Sequence, residues 1–446
     1  MLKRFLARVM TLIIYAAPSF SQDAANDLSP ELYKARREKL MQAIGDSSAM
    51  VLFSATPKMR EWDTPYEYHQ DSDFFYMTGI DKENCALMLV PQGVGIGEQK
   101  VREIIFLPER NPMAERWFGE RLGFEEAKAE LGFQEALANS QLSDYIEKIL
   151  PSVKLVYVPS YDPAFIHEQV SNQRFWIERE SQKALRQKNP QLKIKKTATL
   201  ITAMRTIKSP EELALMQQVI DLTCASLREA IARVKPGMFE YELEAQIEYG
   251  FKIRGAEDVS FPSIVGSGPN STSPHYWENR RKMEDGDVVV LDVGADLHNY
   301  AADVTRTIPV NGKFSPAQRE IYEIVYRAQD AAMQIVKPGM KFSDVHATAK
   351  KVIDDSGYGK FFIHGTSHGL GLDTHDPGNY DVLAPGMVFT IEPGIYIPEN
   401  TEDIDQKYWN IGVRIEDDIL VTESGYKLMS SGVPREISEL EKLMKK

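Results

Sequence analysis

The pentapeptide VKPGM occurs twice in this chain, at 234–238 and again at 336–340. A long amphipathic stretch precedes each copy, PEELALMQQVIDLTCASLREAIAR before the first and SPAQREIYEIVYRAQDAAMQI before the second. A second helical stretch follows each copy, FEYELEAQIEYGFKIRG and then KFSDVHATAKKVIDDSG, and β-rich segments follow those. Five shared residues alone would mean little. The same order of helix, turn, helix and strands around both copies points to a duplicated unit. The C-terminal half is therefore expected to hold two related halves.

With 446 residues the chain exceeds what one ordinary core organises, and a second domain is expected. From Pro30 to about Gln191, strand-like segments (SSAMVLFSA, CALMLVP, REIIFLP, VKLVYVPS) alternate with helical ones (EEAKAELGF, LSDYIEKIL). An α/β (α+β) N-terminal domain over 28–195 is predicted. The polar, lysine-rich passage QKNPQLKIKKTATL leads to a helix start at Ser209-Pro210-Glu211-Glu212. Ser serves as cap, Pro takes the first helical position and acids fill the first turn. The boundary is placed around 190–205, with the second domain over 206–446.

Bulk properties narrow the function classes. The composition, 43% apolar and 26% charged, is that of a soluble globular protein. A net charge of −13 argues against nucleic acid as a partner, which needs clustered Lys and Arg. Two isolated cysteines, Cys85 and Cys224, supply neither a disulfide framework nor a thiolate metal site. The first residues, MLKRFLARVMTLIIYAAPSFSQ, place Lys3, Arg4 and Arg8 before an apolar run from Val9 to Ala17, then small residues at Ser19 and Ser21. That is the order of an export signal over 1–21, too short in its apolar run to span a bilayer. No cysteine lies near the expected cleavage point, so no lipid anchor is expected there, and no other segment reads as a membrane span. An exported, periplasmic or secreted protein is expected.

Laid over each other, the two copies bring acidic residues into register. DVVVLDVGA carries Asp292 after four apolar residues, and MVFTIEPGI carries Glu392 at the matching place. YAADVTRT carries Asp303 in the next strand, and GVRIEDDILVT carries Glu416 in its counterpart. Four carboxylates gathered in a low-dielectric interior repel one another by several kcal/mol per close pair. Either some are protonated or cations sit between them. The stretch HGTSHGLGLDTHD adds three histidines, His364, His368 and His375. Four carboxylates with one imidazole make a ligand inventory for two divalent cations. Oxygen-rich ligands without thiolate favour Mn²⁺, with Zn²⁺ or Co²⁺ as alternatives.

LDVGADLHNYAADVTRT, HGTSHGLGLDTHD, TIEPGIY and GVRIEDD, in this order, resemble the pita-bread metallopeptidases, and most of all Xaa-Pro aminopeptidase (aminopeptidase P). The N-terminal half joins the resemblance through YHQDSDFFYMTGIDKENCALMLVP and AERWFGERLG. It implies a creatinase/aminopeptidase-P-like N-terminal domain followed by a pita-bread domain with an internal pseudo-twofold repeat. It implies that Asp292 holds one metal, that Asp303 and Glu416 bridge two, and that His368 and Glu392 complete the second. Glu392 would also serve as general base. His275, His364 and His375 resemble the family's substrate-side histidines, and Arg414 the arginine that borders the site. Tyr396 and Trp117 resemble the aromatic residues that shape a proline recess, Trp117 from the N-terminal domain of the same or a neighbouring subunit. The expected substrates are peptides with proline at position 2, and the expected assembly is a dimer or tetramer. The chain departs from the family pattern in having only the short DDSGYGK before FFIHG, where bacterial members often carry more. A prolidase acting on Xaa-Pro dipeptides shares every ligand, and a non-catalytic binding module of the same fold would have lost some.

Overall fold

The computed structural model describes residues 28–159 and 189–445, together with 183 and 185–187. The expected export signal lies outside the described residues. The apolar runs of the N-terminal half assemble into one six-stranded sheet. Its order is Glu135–Ala138, Gln99–Leu107, Ala86–Ile96, Ser48–Phe53, Leu155–Val158 and Lys193–Lys196. The central three strands are antiparallel and the outer neighbours are parallel. One face packs against its own residues, among them Val51, Met88, Ile104 and Phe106. The other face merges into the core that continues through the C-terminal half. The lysine-rich passage holds a surprise: Lys193–Lys196 is the outermost strand. It satisfies backbone groups without apolar side chains, and lysines suit an exposed edge.

The duplication is visible in the backbone. Pro210–Ile231 and Pro316–Gln334 both begin with a serine cap, Pro at the first position and a reciprocal capping box, Ser209 with Glu212 and Ser315 with Gln318. Glu240–Lys252 and Phe342–Asp355 are the second helices of the two copies. Each VKPGM turn has its glycine at positive φ, Gly237 at 91° and Gly339 at 86°. Each turn then makes the same pair of backbone hydrogen bonds. Gly237 N–H donates to Met283 O and Met283 N–H to Met238 O; Gly339 N–H donates to Leu383 O and Leu383 N–H to Met340 O.

The strands after these turns form two three-stranded antiparallel sheets. Ile264–Ser267, Val288–Val293 and Val304–Pro309 make the first, and Val388–Ile391, Asp417–Val421 and Tyr426–Leu428 the second. The two-stranded ribbon Gly394–Ile397 with Ile411–Arg414 lies in sequence between the first two strands of the second sheet. The halves meet along a seam where Glu416 N–H donates to Thr305 O at 3.1 Å. Arg306, fully buried, closes the seam with all five of its N–H groups. Nε donates to Pro434 O, Nη1 to Thr305 O and Glu416 O, and Nη2 to Val433 O and the Asp417 carboxylate at 2.7 Å.

Breaking one side of such a buried pair costs about 3–5 kcal/mol, because the remaining charge is left uncompensated. Arg306→Ala should therefore lower the urea midpoint of unfolding strongly. Arg306→Lys should recover only a minor part of that loss, since an ammonium offers three donors in place of a planar five. Full recovery with lysine would mean that charge alone, not the fork of donors, closes the seam.

Candidate metal centre

The five expected ligands come from both halves of the repeat. Asp292 sits within Val288–Val293, opposite Thr305 of the neighbouring strand. Asp303 immediately precedes Val304–Pro309, Glu392 immediately follows Val388–Ile391, and Glu416 stands between Arg414 and Asp417. Three of the four acids thus lie one residue outside regular strand, at the ends facing the seam, and only Asp292 lies inside one. His368 arrives because HGTSHGL lies along the edge of Val388–Ile391. Thr390 N–H donates to His368 O, Leu370 N–H to Val388 O and Glu392 N–H to Thr366 O, the last at 2.7 Å.

The side chains converge. Asp303, His368 and Glu416 offer ligand atoms that all lie within 4.8 Å of one another. His368 Nε2 is 3.5 Å from Asp303 Oδ2 and 3.4 Å from Glu392 Oε1. His368 Nδ1 faces Gly369 O at 3.1 Å, a contact in which the ring nitrogen must donate. In the neutral ring, Nε2 then carries its lone pair toward the carboxylates, as a metal ligand's must. Burial first, then His375, pushes the His368 pKa down to about 4, so the neutral form prevails at neutral pH. The acids shift the other way. Burial first, then Asp292, pushes Glu416 up to about 8 against the opposing hydrogen bond from Thr305. Burial and then Glu416 raise Asp303 and Glu392 well above the carboxylate range. As protein groups alone, these carboxyls cannot all ionise together.

A divalent cation fits that arrangement. Asp292 Oδ1 and Asp303 Oδ1 are buried and accept no hydrogen bond. A bare buried acceptor costs about 1–3 kcal/mol, and positive charge is what these oxygens lack. The other Asp292 oxygen takes Arg414 Nη2, so that carboxylate serves the arginine with one atom and keeps one for an ion. Four carboxylates and an imidazole suit hard or borderline divalent ions.

Around the cluster lies a ring of donors. Arg414 also donates from Nη1 to Tyr396 Oη at 2.8 Å, from Nη2 to Pro274 O and from Nε to Thr305 Oγ1. Thr305 passes its hydroxyl proton toward Glu416 Oε2 at 2.6 Å. His364 reaches Tyr396 Oη with Nε2 at 2.8 Å, and its Nδ1 is 3.7 Å from Glu392 Oε2. Burial, then Arg414, holds the His364 pKa down at about 4. His375 stacks on His368 with ring centroids 3.9 Å apart. His275 is close enough for its charge to weigh on both His364 and His375. Tyr396 is almost wholly buried, with its hydroxyl bridging His364 and Arg414, so its immediate contacts are polar. Trp117 is not brought to the cluster: it stands 78% exposed on Pro112–Phe118 of the N-terminal domain. Thr305 and Arg306 are the site's unforeseen residues. Thr305 is two residues beyond Asp303, hence on the same strand face, and that spacing is the signal that could have found it.

Comparison with known proteins places the fold in a family. Residues 214–423 match the sequence model of metallopeptidase family M24, and residues 33–157 that of the aminopeptidase P N-terminal domain. The chain is 36% identical to an Xaa-Pro aminopeptidase of Haemophilus influenzae over 444 residues, covering 94% of this chain and 98% of that one. Escherichia coli aminopeptidase P, solved with the inhibitor Pro-Leu, superposes with a TM-score of 0.84 at 33% identity, covering 94% of this chain and 98% of that one. An Xaa-Pro dipeptidase of Pyrococcus furiosus is 41% identical over 241 residues, which is 53% of this chain and 66% of the relative. Divalent ions that relieve the carboxylate repulsion should stabilise the fold by mass action. The melting temperature should rise on adding Mn²⁺ to chelator-treated protein, and much less so for Asp303→Ala. An equal rise in both would place the stabilising ions elsewhere. Ligand set, duplicated scaffold and two-domain match converge, and the chain belongs to metallopeptidase family M24, in its aminopeptidase P branch.

Proposed function

We propose that this protein is a metal-dependent aminopeptidase that releases the N-terminal residue from peptides with proline in second position. The observation that carries the proposal is the convergence of Asp292, Asp303, His368, Glu392 and Glu416 from both halves of the repeat. Two divalent ions, Mn²⁺ ahead of Zn²⁺ or Co²⁺, suit these five residues. When bound, such ions supply a water of lowered pKa as nucleophile and polarise the scissile carbonyl.

The chain's own groups do the rest. Glu392 is the acceptor for the proton lost by the attacking water. His275 and His375, at the solvent side, donate to the substrate and to the charge that develops on the carbonyl oxygen, while the neutral His364 spends its one N–H on Gly365 O and accepts from Tyr396 at Nε2. Arg414 fixes Asp292 and, through Thr305, Glu416. An Xaa-Pro bond has no N–H at the proline, so no acceptor need face that nitrogen. Trp117, with Met113 and Phe118 also exposed beside it, suits contact with a neighbouring copy in a dimer or tetramer. The N-terminal domain supports an aminopeptidase over a prolidase: likeness to the dipeptidase spans 53% of the chain and likeness to the aminopeptidase 94%. All five expected ligand residues are present in the sequence, which speaks against a non-catalytic module.

We infer export from the basic, then apolar, then small-residue order of the first 21 residues; no described helix is long and apolar enough to cross a membrane. Protein isolated from its native host should begin near residue 22, and an intact Met1 would overturn export. For the activity, metal-free protein with Mn²⁺ restored should cleave an Xaa-Pro-Xaa tripeptide after its first residue. Asp303→Ala should reduce that rate by more than about a hundredfold. Cleavage confined to Xaa-Pro dipeptides would make the protein a prolidase.

A further inference from the structure

The His375 ring makes no hydrogen bond among the described residues; it rests on His368 and stands toward solvent. Its neighbours in sequence are held far more firmly. Asp373 and Asp376, two residues before it and one after, face a pair of buried cations from the passage between the domains. Arg205 Nη2 lies 2.5 Å from Asp373 Oδ2 and 2.5 Å from Asp376 Oδ1, while its Nη1 reaches Asp73 Oδ1 at 2.8 Å. Lys208 Nζ lies 3.1 Å from Asp376 Oδ2, and both of these side chains are 1% exposed. Asp73 belongs to the N-terminal helix Ser72–Thr78, whose Ser72 hydroxyl donates to Asp373 Oδ1 at 2.6 Å.

The loop between the two histidines is closed as well. Asp376 N–H donates to Gly369 O, Asp373 N–H to Asp376 Oδ1, and Ala301 N–H, two residues from Asp303, to Gly371 O. A methyl group at Gly371 would run into the Asp376 carboxylate, so the loop has no room to relax toward it. Burial would push the Asp376 carboxyl up, but Lys208 and Arg205 outweigh it and hold it below the ordinary range. The aspartate is charged and the cluster is a true ionic one.

We infer that Arg205 and Lys208 are positioning residues for His375: by clamping Asp373 and Asp376 they set where this otherwise unanchored imidazole stands over the metal cluster. Two buried cations in the domain connection are otherwise an expensive way to join two domains that already share an apolar core. The clamp also gives the N-terminal domain a task in the chemistry, because Asp73 and Ser72 complete it. The inference rests on the peptidase function proposed above, with His375 as a substrate-side donor.

The test is a double-mutant cycle on the full-length metal-loaded protein, with Lys208→Met and His375→Ala separately and together. Lys208→Met should lower kcat about tenfold or more, with KM changed much less, as a donor misplaced by a fraction of an ångström does. In the His375→Ala background the same change should cost less than about twofold, because nothing is left to misplace. The affinity for the dipeptide Pro-Leu, measured by calorimetry, should show the same loss of additivity, and Lys208→Arg should restore part of kcat. If Lys208→Met does not fold, Ser72→Ala and Asp73→Asn probe the clamp from its half-exposed end and should show the same pattern. Losses that multiply in an active enzyme overturn the positioning role alone. A wild-type protein that neither cleaves nor binds peptide overturns it together with the proposed function.

Discussion

Four carboxylates in one buried place are the constraint to which the surroundings of this site answer. At the separations found here, repulsion between ionised pairs amounts to several kcal/mol each, and burial adds its own penalty to every charge. The chain meets only part of that cost with protein groups. Arg414 is spent on Asp292, and the Thr305 hydroxyl on Glu416. Among the described residues Asp303 and Glu392 pair with no lysine or arginine; the neutral His368 stands 3.5 Å from Asp303 and 3.4 Å from Glu392, and the His364 ring 3.7 Å from Glu392. Such a core is unstable by itself and stable around cations. The scaffold is therefore organised so that the same backbone connections hold the acids together and the two halves closed.

The gathering of these acids was legible because duplication converts an ambiguous signal into a specific one. A lone acid after an apolar run, such as Asp292, reads as a turn or an edge; a second at the matching place, Glu392, cannot be dismissed in the same way. The VKPGM turns fix that register in the sequence, and their identical hydrogen bonds fix it in space. What stayed hidden was of two kinds. Lys193–Lys196 forms a strand through backbone pairing at a sheet edge, with no apolar alternation to announce it. Arg306, Arg205 and Lys208 are buried cations whose partners lie more than a hundred residues away, so nothing within a local window distinguishes them from surface charges. Tyr396 was found as an aromatic ring, but its hydroxyl, wedged between His364 and Arg414, carries its contacts.

The two domains are joined by charge as well as by apolar packing. Glu212 caps its own helix at Ser209, accepts the Tyr300 hydroxyl at 2.8 Å and faces Arg36 of the first N-terminal helix at 3.1 Å. One carboxylate thus ties the start of a long helix to a strand of the catalytic half and to the other domain. Together with the Arg205 cluster it makes the domain junction a polar network that specifies one orientation, where apolar packing alone would tolerate several. The N-terminal domain is fixed relative to the loop that carries His375.

The seam around Arg306 has a further meaning. In a symmetric pair, residue i of one half meets residue j of the other, and j meets i in return. Arg306 stands three residues after Asp303, yet three residues after Glu416 stands Ile419, fully buried and apolar. Asp417 likewise answers to Val304. The ionic lock is therefore made once and not twice: one half has become the bearer of the cation and the other the bearer of the anion. The chain is in effect a heterodimer joined by its own backbone, and neither half could be exchanged for a second copy of its twin.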